Sequence, residues 1–151
     1  MPIIHKNGDL FTSQSKYLCH QVNCLGKMGS GIARSVRDRF PTAYEEYRSL
    51  CHGADSPGTL MGRILQSDCD CKTIIHMFAQ ERCGRHIRYT DYAAFRECLR
   101  KIKSAIPTGS TIALPHGIGC GLGGGDWDII LPMIEEELAN DYEIEVWKYG
   151  V

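Results

Sequence analysis

A glycine-rich stretch near the N-terminus, residues 20–33 with the sequence HQVNCLGKMGSGIA, has the composition of a phosphate-binding loop. A predicted strand ends there at Asn23, and the chain then passes through Gly26, Gly29 and Gly31 into a predicted helix. Glycine lets the backbone come close to a ligand, and the free N–H groups and dipole of a helix N-terminus attract phosphate. The stretch therefore predicts an anion-binding loop. The alternative is a tight strand-to-helix turn that binds nothing.

A second glycine-rich stretch, residues 113–127 with the sequence ALPHGIGCGLGGGDW, also follows a predicted strand and precedes a predicted helix. Two such loops in one small sheet predict a ligand with more than one phosphate. Lys27 supplies the positive side chain within these loops, so recognition would rest mainly on backbone N–H groups.

The second stretch also contains GxGxxG, formed by Gly119, Gly121 and Gly124, which is found in nicotinamide-binding proteins. A nicotinamide-dependent oxidoreductase is a remote alternative, because we expect only one further strand. With a single further strand, no complete βαβ unit with a ribose-binding acid is expected. The motif GxxxxGK[ST] does not occur, which excludes a Walker A loop.

The apolar pattern predicts strands alternating with helices, and therefore an α/β layered domain. Predicted strands cover residues 3–5, 17–23, 60–66, 73–78, 111–114 and 143–148. Predicted helices begin near Ser30, at Thr42 and near Thr90, with Thr90 as the N-cap of the third. Pro132 lies within the last helical pattern, so we expect a short turn from Asp126 and a regular helix only from about Leu131.

The 151 residues are the length of one domain, and a net charge of -1 does not favour binding of long nucleic acids by charge alone. We expect a cytoplasmic protein, because neither an apolar run of membrane-spanning length nor a signal peptide is recognisable. The eight cysteines are expected to be free thiols. Cys69 and Cys71 form a CxC pair with no second pair, so no metal site is expected.

Taken together, the motifs resemble the macro domain family. The resemblance is to the branch with the terminal ADP-ribose glycohydrolases and the small bacterial and phage Appr-1″-p processing proteins. It covers nearly the whole chain and implies one domain, residues 1–151. Its implied fold is a three-layer α/β/α domain with a central mixed, mostly parallel sheet of about six strands. The motifs are residues 8–10, 20–23, 26–33, 88–92 and 117–127.

The resemblance implies that ADP-ribose is the ligand. Asp9 would take the adenine amino group and Leu10 would pack near the base. Asn23 would hydrogen-bond the distal ribose. Trp147 would cover the adenine, unless it is simply a core residue.

The two loops would hold the rest of the ligand. The first would grip the pyrophosphate from one side with Lys27, Met28, Gly29, Ser30, Gly31 and Ile32. The second would close on the pyrophosphate and the distal ribose with Gly117, Ile118, Gly119, Cys120, Gly121, Leu122 and Gly123.

The sequence departs from the glycohydrolase branch at two positions. In that branch a lysine after the middle strand forms a covalent link to the ribose and an aspartate after GCGL assists, whereas this chain has Gln80 and Gly123 there. Residues 79–84 contain no lysine, so the covalent route is expected to be closed. Asn23, His116, Asp126 and Glu81 are the remaining candidate catalytic residues, although a loop histidine facing solvent and a capping aspartate are equally ordinary.

The expected function is therefore that of an ADP-ribose-binding macro domain acting on ADP-ribose derivatives. If it is an enzyme, it would be a hydrolase removing an ADP-ribosyl group or the 1″-phosphate of ADP-ribose without a covalent lysine. The alternative is a reader that binds without catalysis. Expected partners are ADP-ribose or ADP-ribosylated protein or nucleic acid, with no cofactor, no membrane and a monomeric chain.

Overall fold

The computed structural model describes residues 3–83, 89–121 and 123–150, which form a six-stranded sheet with helices on both faces. The strands are β1 (Ile3–Asn7), β2 (Tyr17–Asn23), β3 (Ile64–Cys69), β4 (Lys72–Gln80), β5 (Thr111–Pro115) and β6 (Glu143–Lys148). The helices are α1 (Gly31–Arg39), α2 (Pro41–Gly53), α3 (Tyr92–Ala105) and α4 (Trp127–Leu138). Short 3₁₀ turns cover Leu10–Thr12 and Pro57–Leu60.

The strand order is β1-β6-β5-β2-β4-β3, and every pairing is parallel except that of β3 with β4. The predicted three-layer fold with a mixed, mostly parallel sheet of about six strands is confirmed. Because β1, β6, β5, β2 and β4 run in one direction, their carboxyl ends meet at one edge of the sheet.

Both faces of the sheet are buried, as the near-continuous apolar sequence of β4 requires. Ile74 and Phe78 belong to the core that contacts α1 and α2, whereas Ile75 and Met77 belong to the core under α3 and α4. The alternation follows from the two-residue period of a strand.

Several predicted boundaries differ from the observed ones, and three of the differences have a clear local cause. The strand expected from residue 60 begins at Ile64, because Leu60 ends a 3₁₀ turn and is buried there. The second helix begins one residue earlier, at Pro41, since a proline at the first helical position loses no hydrogen bond. The cap of α3 is Asp91, whose carboxylate accepts from the N–H of Ala94, and the Thr90 hydroxyl is engaged elsewhere.

The helix α4 is also regular earlier than predicted, starting at Trp127 and continuing through Pro132. Asp126 caps it by accepting from the N–H of Asp128 at 2.9 Å. Ile130 and Ile134 are fully buried, and this burial offsets the hydrogen bond that the proline removes.

The second glycine stretch lies within a βαβ unit that the sequence analysis did not expect. Strand β5, helix α4 and strand β6 form it, since β5 and β6 are parallel neighbours. Strand β6 ends on Trp147 and Lys148, so the unit has no ribose-binding acid at its carboxyl end, as expected.

The first glycine loop, residues 24–30, is held in shape by the Asn23 side chain. Its Oδ1 accepts from the N–H groups of Leu25 at 3.0 Å and Lys27 at 3.3 Å, and its Nδ2 donates to the carbonyl oxygen of Lys27 at 2.8 Å. The hydroxyl of the fully buried Tyr47 lies 2.7 Å from the Asn23 carbonyl oxygen and 2.8 Å from Oδ1. The loop is therefore tied to α2 before any ligand is present.

The second glycine loop, residues 116–125, is held from below by Thr90 and Gln21. Thr90 Oγ1 donates to the carbonyl oxygen of Gly119 at 2.7 Å and accepts from Gln21 Nε2 at 2.8 Å. A second bond joins the N–H of Thr90 to the carbonyl oxygen of Gly123 at 3.0 Å. Residue 119 must be glycine, because its φ is +77° and a Cβ would lie 2.7 Å from Gln21 Oε1.

The packing under this loop predicts different outcomes for two of its glycines. A Cβ at Gly123 would lie 2.5 Å from Thr90 Oγ1 and 2.9 Å from the carbonyl oxygen of Gly119, whereas one at Gly121 meets nothing within 4 Å. We expect Gly123→Ala to lower the free energy of unfolding by about 1–3 kcal/mol, as overpacking does. The matched control Gly121→Ala should change it by less than about 0.5 kcal/mol. Urea titration measures both, and equal effects would contradict this packing.

Candidate functional site

Two adjoining cavities open at the edge of the sheet where the carboxyl ends of β1, β6, β5 and β2 meet. The first, named here the glycine cavity, has a volume of about 560 Å³ and lies between the two glycine loops. The second, named the tryptophan cavity, has a volume of about 600 Å³ and lies beside Trp147. Both are lined by Gly31, Ile32, Pro115 and His116, so they adjoin at these residues, and together they are named here the groove.

The glycine cavity brings together most of the residues predicted for the two loops. The predicted residues that line it are Asn23, Lys27, Gly29, Ser30, Gly31, Ile32, His116, Gly117, Ile118, Gly119, Gly121 and Gly123. Its further lining residues are His20, Gln21, Val22, Ala33, Gln80, Cys83 and Pro115.

The N-terminus of α1 forms one wall of the groove. Its N-cap, Ser30, makes no side-chain hydrogen bond to the helix, and the first turn contains no acidic residue. Gly31 adopts a φ of +59°, and a Cβ there would meet nothing within 4 Å, so the loop turns into the helix beside open space. Free N–H groups and the helix dipole make this wall attractive to an anion.

The floor of the glycine cavity carries no positive charge. His20 is 2% exposed, and its Nε2 lies 2.8 Å from Nδ1 of His76, whose Nε2 lies 3.0 Å from Ser67 Oγ. Burial lowers the pKa of His20 to about 3, so the ring is neutral at physiological pH.

Among the described residues that line the glycine cavity, the titratable side chains are His20, Lys27, Cys83 and His116, and none is a carboxylate. An anionic ligand would therefore meet no negative side chain in that lining that repels it. General acid–base chemistry by a carboxylate would have to come from outside it.

His116 is exposed at the boundary between the two cavities, and its ring contacts that of Trp127 with centroids 4.8 Å apart. Partial burial lowers the pKa of His116, and Coulombic interactions with Lys148 and His5 lower it further. The imidazole is thus neutral around pH 7 while the groove is empty.

The tryptophan cavity brings together the predicted residues Asp9, Leu10 and Trp147. Asp9 Oδ1 accepts from the N–H of Phe11 at 2.9 Å, and Oδ2 lies 3.3 Å from the Arg39 guanidinium. Arg39 also lies over the Phe11 ring, 4.8 Å from its centroid. One carboxylate oxygen therefore stabilises the turn that follows Asp9. The other faces the half-exposed Arg39 side chain, which a ligand can displace.

Trp147 lies partly in the core and partly in the cavity wall. Its Nε1 donates to Glu145 Oε1 at 2.9 Å, and the same oxygen accepts from Ser13 Oγ at 2.6 Å. Although burial opposes ionisation, these hydrogen bonds and Lys6 keep the pKa of Glu145 below its usual value. The charged carboxylate fixes the orientation of the indole.

Several predicted residues lie outside both linings. Met28 is 1% exposed and belongs to the core under α1 and α2. Cys120 contacts the opposite core, and burial raises its pKa to about 11, with Asp126 adding to the shift. Leu122 lies outside the described residues.

Two candidate catalytic residues, Glu81 and Asp126, also lie outside the linings. Glu81 faces Arg82 and the 3₁₀ turn at Gly58, and Asp126 is the cap of α4. The catalytic role predicted for them gains no support from these positions.

Sequence reasoning overlooked Gln21 as a residue of the groove. Its Nε2 donates to Gln80 Oε1 at 2.6 Å, and Gln80 Nε2 donates to the carbonyl oxygen of Arg82 at 2.9 Å. Gln80 therefore serves as a hydrogen-bonded support beside the cavity. The signal that could have identified Gln21 is its place on β2, two residues before Asn23 and on the face toward the second loop.

Within residues 3–83, 89–121 and 123–150, no cluster of three histidine, cysteine or acidic side chains could hold a metal ion. No helix of that part of the chain is both long and apolar enough to span a bilayer.

Two named relatives resemble the chain in sequence. The DNA ADP-ribosyl glycohydrolase of Mycobacterium tuberculosis is 28% identical over 147 residues, which are 93% of this chain and 39% of the relative. The ADP-ribose 1″-phosphate phosphatase of Aspergillus fumigatus is 40% identical over 63 residues, which are 40% of this chain and 32% of the phosphatase. The chain thus spans well under half the length of either relative.

The fold itself matches a solved structure, the macrodomain of Thermus aquaticus DarG, with a TM-score of 0.76 and 26% identity over 99% of each chain. The family model described as Macro domain matches residues 19–134, which include both glycine loops. On this match, which covers most of its length, the chain belongs to the macro domain family.

Proposed function

We propose that the chain binds ADP-ribose groups along the groove formed by the glycine and tryptophan cavities, and that its function is to recognise ADP-ribose derivatives. The observation that carries this proposal is that the two cavities adjoin and share four lining residues. One has an aromatic wall and a carboxylate, the other has two glycine loops and a helix N-terminus, and they join at Gly31 and His116. ADP-ribose has the same order of groups, a base and ribose, then a pyrophosphate, then a second ribose.

The adenosine half belongs in the tryptophan cavity. Trp147 offers an indole face that Glu145 holds in place, and an aromatic face is a suitable partner for a base. Asp9 Oδ2 accepts a hydrogen bond from the adenine amino group, competing with Arg39, whose side chain is about half exposed. Leu10, 4% exposed, supports the base from within the core.

The pyrophosphate and second ribose belong in the glycine cavity. The backbone N–H groups of the two loops and of the first turn of α1 take the phosphate oxygens, and Lys27 adds a charge at the rim. The role of Asn23 is narrower than the sequence suggested, because its Oδ1 and one Nδ2 hydrogen already bind the loop backbone. A single amide hydrogen is left for the ribose.

The proposal predicts that ADP-ribose binds at least about tenfold more tightly than AMP, since tenfold is only ~1.4 kcal/mol and a single charge-assisted hydrogen bond is worth that much. It also predicts that Gly29→Glu abolishes this preference. A Cβ at Gly29 meets nothing within 4 Å, so the new carboxylate enters the cavity without disturbing the fold. Calorimetric titration with the two ligands measures both effects.

The matched control is Gly53→Glu, which adds the same charge at the end of α2, outside the groove, where a Cβ also meets nothing within 4 Å. This variant should bind like the parent. Equal affinity for ADP-ribose and AMP in the parent, or unchanged binding by Gly29→Glu, would contradict the proposal.

Hydrolysis of an ADP-ribosyl bond or of ADP-ribose 1″-phosphate is the second candidate function, favoured by the names of the two relatives. Among the described residues that line the glycine cavity, His116 is the one with an exposed, neutral imidazole that can accept a proton from water. Positioned general-base help of this kind is typically worth about 10²–10⁴ in rate. Slow turnover without a covalent intermediate is what this geometry would support.

The second candidate predicts that borohydride traps no lysine–ribose adduct during incubation with ADP-ribosylated DNA, ADP-ribosylated protein or ADP-ribose 1″-phosphate. Gln80 has no amine, and its amide hydrogen-bonds to Gln21 and to the carbonyl oxygen of Arg82. Mass spectrometry of the intact protein makes the measurement. Lys27 is the lysine of the glycine-cavity lining, so Lys27→Gln is the control that identifies any adduct there. An adduct on any lysine would overturn the non-covalent route, and no turnover at all would leave recognition as the function.

We further propose a monomeric, cytoplasmic protein whose targets carry ADP-ribose on a protein or a nucleic acid. The relative from M. tuberculosis is named for ADP-ribosylated DNA. A net charge of -1 argues that attraction to such a target comes from the ADP-ribose group and not from general binding to nucleic acid.

A further inference from the structure

His116 lies where the two cavities adjoin, because it belongs to the lining of both. The residues that share this position are Gly31, Ile32 and Pro115, and Gly31 begins α1. A ligand that extends from one cavity into the other therefore passes between the His116 side chain and the N-terminus of α1. In the order of groups proposed above, the pyrophosphate is the first part of the ligand to lie in the glycine cavity, next to this position.

The backbone and ring of His116 are both held in place. Its N–H donates to the carbonyl oxygen of Trp147 at 2.8 Å, which ties the start of the second loop to β6. Its ring contacts the Trp127 indole at the start of α4, with an interplanar angle of 46°. The imidazole edge is consequently presented to the groove without a competing hydrogen bond among those of the described residues.

The charges around His116 are mainly positive. His5 on β1 and Lys148 on β6 act on the imidazole directly. Lys27 lines the glycine cavity, and Arg39 lines the tryptophan cavity.

Two carboxylates oppose this charge, and both are engaged. Asp126, beside Trp127, accepts from the N–H of Asp128, and Asp9 faces Arg39. Neither of these carboxylates is free to stabilise a protonated His116, whereas the two negative charges of a pyrophosphate would stabilise it.

We propose that His116 is a phosphate-contacting residue that takes a proton from solvent when the pyrophosphate of ADP-ribose enters the groove. The inference rests on the proposed function. The imidazolium then donates an N–H to a phosphate oxygen opposite the α1 N-terminus, so that the anion is held from both sides. His116 then serves recognition and not the general-base role that hydrolysis would require, because a protonated imidazole accepts no proton from water.

The pH dependence of ADP-ribose affinity follows from the direction in which binding shifts the pKa of His116. The pKa of His116 is below its ordinary value in the empty groove and is raised by the bound dianion. Affinity should therefore rise as pH falls through the window between these two pKa values, and stay constant above and below it. The pyrophosphate itself is fully ionised throughout, so the ligand contributes no proton change. One proton limits the slope to about tenfold per pH unit.

The experiment is calorimetric titration with ADP-ribose near pH 6.5, in two buffers of different ionisation enthalpy, together with affinities at about pH 6 and about pH 8. The parent should take up a substantial fraction of one proton and bind roughly threefold to tenfold more tightly at the lower pH. His116→Gln should show no uptake and lose the pH dependence, while still binding. His116→Lys, a permanent cation, should bind at both pH values without uptake.

The nearest competing group is His5, so His5→Gln is the matched control and should retain the uptake. Proton uptake that persists in His116→Gln, or a parent that binds ADP-ribose with no uptake and no pH dependence, would overturn the inference and leave the proposed function standing. Absence of ADP-ribose binding by the parent at every pH would instead remove the proposed function, and the inference with it.

Discussion

The parallel pairing of β2 with β5 determines where the two glycine loops lie. Tyr17 pairs with Ile112 and Leu18 with Ala113, so the loops that follow these strands emerge side by side at one edge of the sheet. Strands β6 and β1 continue the same parallel order and bring Trp147 and Asp9 to that edge. If the middle pairing were antiparallel, the two loops would stand at opposite edges and no groove would form.

The glycine cavity is shaped by neutral hydrogen bonds beneath its two loops and not by charged side chains. Tyr47 and Asn23 hold the first loop, and Thr90 with Gln21 holds the second. These contacts are buried or partly buried and involve no ligand, so much of the entropy cost of ordering the loops is met in folding and not in binding. The backbone N–H groups are left as the main donors, which suits a ligand whose charge lies on phosphate oxygens.

Much of this arrangement could be predicted from the sequence, because its signals are local. Strand β2 was predicted with its observed bounds from its apolar pattern, and both loops were recognised from glycine spacing. The continuation of α4 through Pro132 could not be predicted from local signals, since burial of Ile130 and Ile134 outweighs the local cost of proline. The contacts of Gln21 could not be predicted either, because its partners are 59 and 69 residues away in the chain.

The central claim is that both glycine loops contact one ligand, and amide chemical shifts in a ¹⁵N–¹H correlation spectrum test it most directly. On titration with ADP-ribose, the N–H signals of Gly29 and Gly31 and those of Gly117, Gly119 and Gly121 should move together to one saturation point. The signals of Gly53 and Gly109, which lie outside the groove lining, should stay in place. Movement confined to one loop, or saturation of the two loops at different ligand concentrations, would contradict the account.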